Sequence, residues 1–433
     1  MRALRACLTA ALFALVASAA YAQQQITIVT SFPRDLTDVY KKAFESRNPG
    51  VKVEVLNRGT SAGISFVREA PVGNKPDIFW ASAPDAFEVL SKEKLLAKVA
   101  DLANPAVPRK IGAYPVNDPE GYYLGQALAG YGLMWNTRYL KANKLPDPKE
   151  WADLVKPVYH GHVAISSPSR SGTTHLTVET ILQGEGWDKG WQQMLTIAGN
   201  CAAITERSFG VPDGVNNGQF GIGLVIDFFG LSAKASGFPV EFVYPSVTSI
   251  VPANIGLIAN AKNADLARKF ISFTLSDEGQ QLLLDPKISR LPVLPATYAR
   301  APKDYPNPFG GRIKARVNFD SELSESRYYV VSSIFDQTIT FRHKELAAAT
   351  KAIHEAQKRV GNRPSRELDQ ARVLVLTPPV DDKQASDKAL AAVFSADKKD
   401  AEASKRRAQL EDEWTSKAKA NYAKAIELAN VAK

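Results

Sequence analysis

The chain has 433 residues, with 54 Lys and Arg against 45 Asp and Glu, for a formal net charge of +9. That length favours two or three domains with substantial cores. The basic residues are spread out, in short runs such as Lys405-Arg406-Arg407, and no nucleic-acid motif accompanies them, which excludes a nucleic-acid partner and leaves attraction of small anions as the use of the charge.

Residues 1–22 read as a secretory signal peptide: Arg2 and Arg5 precede an apolar stretch that ends in the small-x-small triplet Ala20-Tyr21-Ala22. The stretch is interrupted and too short for a membrane span, and no later segment has about 18 uninterrupted apolar residues. Cys7 precedes the apolar stretch, the wrong order for a lipid anchor. Cleavage after Ala22 therefore delivers a soluble chain to the periplasm. It leaves Cys201 as the one cysteine, so neither an intramolecular disulfide nor a Cys-based zinc site is expected. His160 and His162 form an H-x-H pair without a carboxylate partner and read as structural, so no metal and no cofactor are expected.

The mature chain opens with the β-branched run Ile26–Ser31, predicted as a strand, followed by a helix over Leu36–Arg47 that Asn48-Pro49-Gly50 ends. Val51–Leu56 and Asp77–Ser82 are the next strands, with a helix between them. Strands alternating with helices predict an α/β fold with a mainly parallel sheet, in which ligands bind beyond the carboxyl ends of the strands. Those ends are polar here: Ser31 after the first, Arg58, Thr60 and Ser61 after the second, Ser82 at the third. A long extended stretch, Tyr122–Thr137, follows.

The α/β pattern then restarts. The short apolar run His162–Ile165 leads into Ser166-Ser167-Pro168-Ser169-Arg170-Ser171-Gly172-Thr173-Thr174-His175, six of whose ten residues are Ser or Thr, and a helix pattern runs on to Leu182. A helix start offers unpaired N–H groups and a partial positive charge, so hydroxyls, Arg170 and His175 around it make an anion-binding pocket; a cap alone needs one hydroxyl. After a helix through Trp191 comes a strand at Ala202–Thr205, ending at Glu206-Arg207-Ser208. Pro212–Gln219 reads as a short helix, Gly221–Gly230 as a buried strand carrying Asp227, Ser249–Asn260 as a second extended crossing and Asn263–Leu284 as an amphipathic helix pair.

Two α/β units joined by two crossings resemble a periplasmic substrate-binding protein of an ABC importer, in the cluster that binds ferric iron or phosphorylated organic anions. The residues that carry the resemblance are the signal peptide, ITIVTSFP with FESRNPGVKVEV, KPDIFWAS, GYGLMWNT at the first crossing and ARKFISFTLSDEGQQLL after the second, over Ile26–Pro295. The resemblance implies a two-lobed fold of the two-crossing hinge type: lobe 1 from 23–125 plus 250–300, lobe 2 from 126–249. Residues 301–433 form a mainly helical extension, expected either to pack on the first lobe or to dock a partner. Extended relatives of this kind are associated with phosphoglycerate uptake and sensing.

The resemblance also bears on chemistry. Iron-binding members present two adjacent Tyr at a strand end in the second lobe, where this chain has Asp227-Phe228-Phe229. Phe cannot ligate metal, which speaks against a ferric-iron-binding protein. The relatives hold an anion at a Ser-Gly helix start, which Ser171-Gly172-Thr173 matches. Gly172 lets backbone approach the anion and Thr173 and Thr174 add hydroxyls. The candidate ligand-binding set is Ser31, Arg58, Thr60, Ser61, Ser82, Arg170, Ser171, Gly172, Thr173, Thr174, His175, Glu206 and Asp227. Arg58 as a surface residue, Glu206 with Arg207 as a structural pair and Asp227 as a turn cap stay open.

Gly59-Thr60-Ser61-Ala62-Gly63 satisfies G-x-S-x-G, the nucleophile-elbow pattern, but only one full strand precedes Val51–Leu56 and no His has a clear triad role, so a serine hydrolase using Ser61 is disfavoured. The expected protein is a non-enzymatic monomer that closes on a small phosphorylated or otherwise anionic organic solute and meets an inner-membrane ABC permease. In the alternative it signals to a sensor histidine kinase.

Overall fold

The computed structural model describes residues 24–397 and 399–433, and the signal peptide expected at 1–22 lies outside them. Strands β1 (Gln24–Thr30), β2 (Val51–Asn57) and β3 (Ile78–Ala81) pair in parallel, with β1 in the middle. Their side chains alternate between two buried faces. Ile26, Ile28, Ile78 and Trp80 pack toward the helices Arg34–Arg47 and Ala264–Thr274, whereas Val29, Phe79 and Ala81 pack with residues of the helices Thr60–Glu69 and Pro84–Lys92. A short edge strand β4 (Leu96–Ala97) and a small hairpin of β5 (Lys110–Ile111) and β6 (Tyr114–Pro115) precede the first crossing.

That crossing is β7 (Leu124–Asn136), 13 residues long and buried throughout. The second lobe contributes β8 (Val163–Ser166), β9 (Cys201–Thr205), β10 (Ile222–Ile226) and β11 (Val240–Val243), and β12 (Ile250–Ile258) returns, with β13 (Leu291–Pro292) beyond it. The sheet order is β2-β1-β3-β12-β7-β10-β8-β9, with β11 and β13 also on β7. The sheet is mixed rather than mainly parallel. Each flank is parallel, but β7 and β12 run antiparallel to each other and to the strands they meet, because one carries the chain out and the other brings it back.

The strand β7 changes partners in mid-course. Leu124–Gly130 pairs with β12, and Tyr131–Trp135 pairs with β10. At the handover a Cβ on Gly130 would lie 2.6 Å from Ile250 Cδ1 and 2.8 Å from Tyr244 Cε1, so only glycine fits. The strand expected over Gly221–Gly230 ends at Ile226, and a helix starts at Asp227 and runs to Ala235. A continuous apolar run does not distinguish the two states, and an acidic residue in a first turn favours the helix.

The C-terminal extension is helical; its first helix, Ser321–Ser326, packs on Pro84–Lys92 of the first lobe, and most of the rest sits on the second. His343 Nε2 lies 3.1 Å from the Cys201 carbonyl and Trp187 Nε1 donates to the Val380 carbonyl at 3.0 Å. The 31-residue helix Ala401–Val431 closes the bundle by packing on the helices His343–Val360 and Arg366–Leu376. Its apolar stripe of Trp414, Ala418, Tyr422 and Ala425 makes that possible. Among the described residues no helix is long and apolar enough to cross a membrane.

Candidate functional site

The hydroxyl-rich loop folds as strand, turn and helix start. Strand β8 ends at Ser166, and Ser171 is the N-cap of the helix Gly172–Glu185, its Oγ accepting from Thr174 N at 3.2 Å. The six hydroxyls divide. Ser166 pairs with Thr174, and Ser167 meets Ser169 at 2.8 Å and donates to Asp336 Oδ1 at 2.7 Å. These bonds shape the loop. Ser171 and Thr173, with Arg170 and Gly172, remain on the wall of a small, tight cavity between the lobes.

The opposite wall comes from the first lobe: Ser31, Thr60 and Ser82 at the ends of β1, β2 and β3, with Phe32, Pro33 and Gly59. Arg207, Ser208, Phe228 and Phe229 complete it. The two walls touch. Gly172 N donates to Thr60 Oγ1 at 3.2 Å, and Arg207 Nη2 lies 3.3 Å from Asn57 Oδ1. A Cβ on Gly172 would stand 2.7 Å from Ala83 Cβ, and one on Gly59 2.8 Å from the Arg170 carbonyl. The lobes are therefore closed on each other, and small residues make the approach possible.

No acidic side chain lines this cavity, whereas two arginines, five hydroxyls with Ser208 as a sixth, and a helix start do. Its field is positive and its donors outnumber its charged groups, a setting for an oxyanion. The adjoining chamber, which shares Pro33, Phe228 and Phe229 with it, is larger and carries Asp35, Asn57, Asp213, Asn216, Lys287 and Arg290 among its wall residues.

The other sequence candidates lie outside the small cavity. Arg58 is exposed, its guanidinium 4.2 Å from the Phe66 ring centroid. Glu206 is exposed, and its neighbour Arg207 takes the inward position. Ser61 Oγ is 3.2 Å from Tyr328 Oη. Burial pushes that phenol far above its ordinary range, so it is no general base for a nucleophilic serine. Thr174 is spent on Ser166. His175 is fully buried, its ring 4.2 Å from Tyr328 and its Nε2 3.4 Å from Asp85 Oδ2. Burial pushes His175 down to about 4 and Asp85 up to about 7, both toward their neutral forms. Asp227 is buried as well. It accepts from Gly130 N at 2.8 Å, Phe228 N at 2.8 Å and Tyr244 Oη at 2.9 Å, so it ties the end of β10 to the crossing strand at its handover point. Burial pushes it up to about 7 against those three donors.

Arg290 is the residue the sequence reading missed. It is 2% exposed, and Nε, Nη1 and Nη2 all lack a hydrogen-bond partner. Its guanidinium is sandwiched between Phe32 at 4.1 Å and Phe228 at 3.6 Å, two of the three aromatic residues that line the cavity. Burial lowers it from its ordinary value to about 9. A buried cation without hydrogen bonds is costly unless an anion completes it. The local cause is Ser289, whose left-handed φ of 46° turns the chain after the helix Asp277–Leu282 and points Arg290 inward. The visible signal is one arginine directly before the apolar run Leu291–Leu294.

Phe228 and Phe229 lie with ring centroids 4.3 Å apart, tilted at 46°, in the wall, where they offer aromatic surface and no metal-ligating oxygen. Among the described residues no group of three or more His, Cys, Asp or Glu is placed to hold a metal ion.

Two α/β lobes closing on a polar cleft across paired crossing strands define a solute-binding protein. The chain belongs to the bacterial extracellular solute-binding protein family, whose profile matches residues 73–312. It is 31% identical over 373 residues, covering 86% of this chain and 90% of the other, to the phosphoglycerate transport regulatory protein PgtC of Salmonella typhimurium. Among solved structures it is similar to the periplasmic binding protein AfuA from Actinobacillus pleuropneumoniae with fructose-6-phosphate bound, at a TM-score of 0.66 and 19% identity, over 74% of this chain and 99% of that one. Iron-bound HitA from Pseudomonas aeruginosa shares the fold at a TM-score of 0.58 and 17% identity, over 71% and 98%.

Proposed function

We propose that the protein is the periplasmic binding component of an ABC importer and captures a small phosphorylated organic anion by closing its lobes, with delivery to an inner-membrane permease. Export by a signal peptide cleaved after Ala22 is part of this reading. The observation that carries it is Arg290, a buried guanidinium without a partner, beside a cavity walled by hydroxyls, a helix start and two further arginines. Ser171, Thr173, Ser31, Thr60 and Ser82 bind the phosphate oxygens, with Arg170 and Arg207 offsetting charge. Arg290 meets a second anionic or acceptor group of the same solute, in the chamber past Phe228. Names support the class: a relative is called a phosphoglycerate transport regulatory protein and a structural neighbour holds fructose-6-phosphate. Hinge closure about the β7 handover at Gly130–Tyr131 brings the two walls together.

The test is a thermal-shift screen of the purified protein against 3-phosphoglycerate, fructose 6-phosphate, inorganic phosphate and ferric citrate. A ligand present at 100 times its Kd adds about 2.7 kcal/mol of stability. A shift with ferric citrate alone would overturn both the Phe228–Phe229 argument and the ligand class. A second reading, sensing through a histidine kinase, draws on the word "regulatory" in the relative's name and on the added helical extension. Pull-down of a kinase periplasmic domain by solute-loaded but not solute-free protein would favour it.

A further inference from the structure

The segment that follows the two lobes, Asp320–Asp336, lies between them and holds both. Toward the second lobe, Arg327 makes a bidentate pair with Glu179 of the helix Gly172–Glu185, 2.9 Å on each arm, with both side chains buried. Asp320 N donates to Gln183 Oε1 at 2.8 Å, and Asp336 accepts from Ser167 in the anion loop at 2.7 Å. The rest of the extension is anchored to the same lobe, and Arg327 Nη1 reaches it through Asp382 at 2.8 Å. Toward the first lobe the contacts are the packing of the short helix Ser321–Ser326 on Pro84–Lys92 and single hydrogen bonds rather than a bidentate pair. Ser324 Oγ donates to Asp85 Oδ2 at 3.0 Å, Arg68 Nη2 to Tyr329 Oη at 3.2 Å, and Lys92 pairs with Glu325. Tyr328 and Ser324 do both: the Tyr328 ring lies on His175 of the second lobe and its hydroxyl meets Ser61 of the first, and Ser324 Oγ also lies 3.3 Å from His175 Nε2.

We infer that Ser321–Phe335 is a built-in latch: it rides on the second lobe and clips onto the helices Thr60–Glu69 and Pro84–Lys92 of the first when the cleft closes. The asymmetry decides which side releases. The buried bidentate pair and the packed extension outlast single hydrogen bonds and a half-exposed ion pair. Tyr328 and Ser324 are positioning residues: they touch no solute, but they bind Ser61, beside the cavity residue Thr60, and Asp85, beside the cavity's first-lobe wall. The latch biases the lobes toward closure. It also passes the open-to-closed change directly into the helical extension. The inference rests on the two-lobed hinge and not on the identity of the solute.

The experiment measures the gap between the lobes without any solute. Spin labels go on Val72→Cys and Asn217→Cys, both exposed, while the native Cys201 is buried. Distance distributions are recorded by pulsed dipolar spectroscopy in the parent and in Ser324→Ala/Tyr328→Phe, which keeps the ring on His175. The double variant should shift the closed-to-open ratio toward the open state by about tenfold or more, as expected for two lost hydrogen bonds. Ser333→Ala, which breaks a bond to Glu411 inside the extension, should leave the distribution in place. Identical distributions in parent and double variant would overturn the latch, and so would an equal shift in Ser333→Ala. Circular dichroism of each variant confirms that the helices are intact, so a shift cannot be credited to misfolding. Failure of organophosphate binding would leave this result standing, because no solute enters the measurement.

Discussion

Replacing Arg290 with Met preserves the length of the side chain and deletes its charge, and stability and affinity should then part company. Burial lowers the guanidinium from its ordinary value to about 9. That drop corresponds to about 5 kcal/mol of penalty for carrying the charge. The faces of Phe32 and Phe228 return about 2 kcal/mol each to a desolvated cation. The terms nearly cancel, so the arginine contributes within about 1 kcal/mol of nothing to the solute-free protein, and an apolar side chain of similar volume is neutral or stabilising. Urea unfolding of solute-free Arg290→Met should show a midpoint equal to or above the parent's, at an unchanged slope. Titration calorimetry with 3-phosphoglycerate should show affinity weaker by about 30-fold to 1,000-fold, because truncating one side of a buried charged pair removes about 2–4 kcal/mol. A structural arginine predicts the opposite pattern. A loss of more than about 3 kcal/mol of stability with affinity intact would refute the reasoning.

Gly172→Ala should weaken solute binding by about tenfold or more at nearly constant urea midpoint, since the new methyl meets Ala83 and Thr60 only when the lobes close; calorimetry together with unfolding separates the two effects. Ser171→Ala should lose about 1 kcal/mol of stability as well as affinity, because Ser171 caps the helix, whereas Thr173→Val should lose affinity alone. Glu179→Gln should destabilise by about 3–5 kcal/mol by leaving Arg327 buried with its partner neutralised, and the double variant Glu179→Leu/Arg327→Met should recover most of that in denaturant melts. Asp227 titrates near 7 when folded and near 3.8 when unfolded. The folded state thus binds the extra proton between about pH 4 and pH 7, and this residue's contribution to stability falls as pH rises through that window. In Asp227→Asn that part of the slope should vanish from urea midpoints measured across pH 4–7; a slope identical to the parent's would count against it.

The alternation of strand and helix was legible because period-two and period-3.6 patterns are local. The runs at Ile26–Ser31, Val51–Leu56 and Asp77–Ser82, and the helix start at Ser171-Gly172, lie within a residue or two of where they occur. Polar strand ends were legible for the same reason, which is why Ser31, Thr60, Ser82 and Arg170–Thr173 were named in advance and stand together in one wall-to-wall cavity. Side-chain direction was not legible. Arg58 and Arg207 follow strand ends of similar composition, but Arg58 lies flat on Phe66 and Arg207 points inward. His175 looked like a ligand until Tyr328, some 150 residues away, covered it.

What the sequence determined by itself was therefore the class of architecture and the chemistry of one jaw: a two-unit α/β chain with a hydroxyl-rich helix start and no tyrosine pair at Phe228-Phe229. The tertiary structure alone decided which charge completes the site and what the C-terminal extension does. Arg290 is an ordinary basic residue in sequence. It becomes the defining group only because Ser289 turns it between two rings contributed from positions 32 and 228, and burial without a hydrogen-bond partner is a property of distant neighbours. The extension likewise carries no motif. Its seat on the second lobe, with Ser324 and Tyr328 reaching across to the first, follows from packing and hydrogen bonds between segments that the linear order keeps far apart.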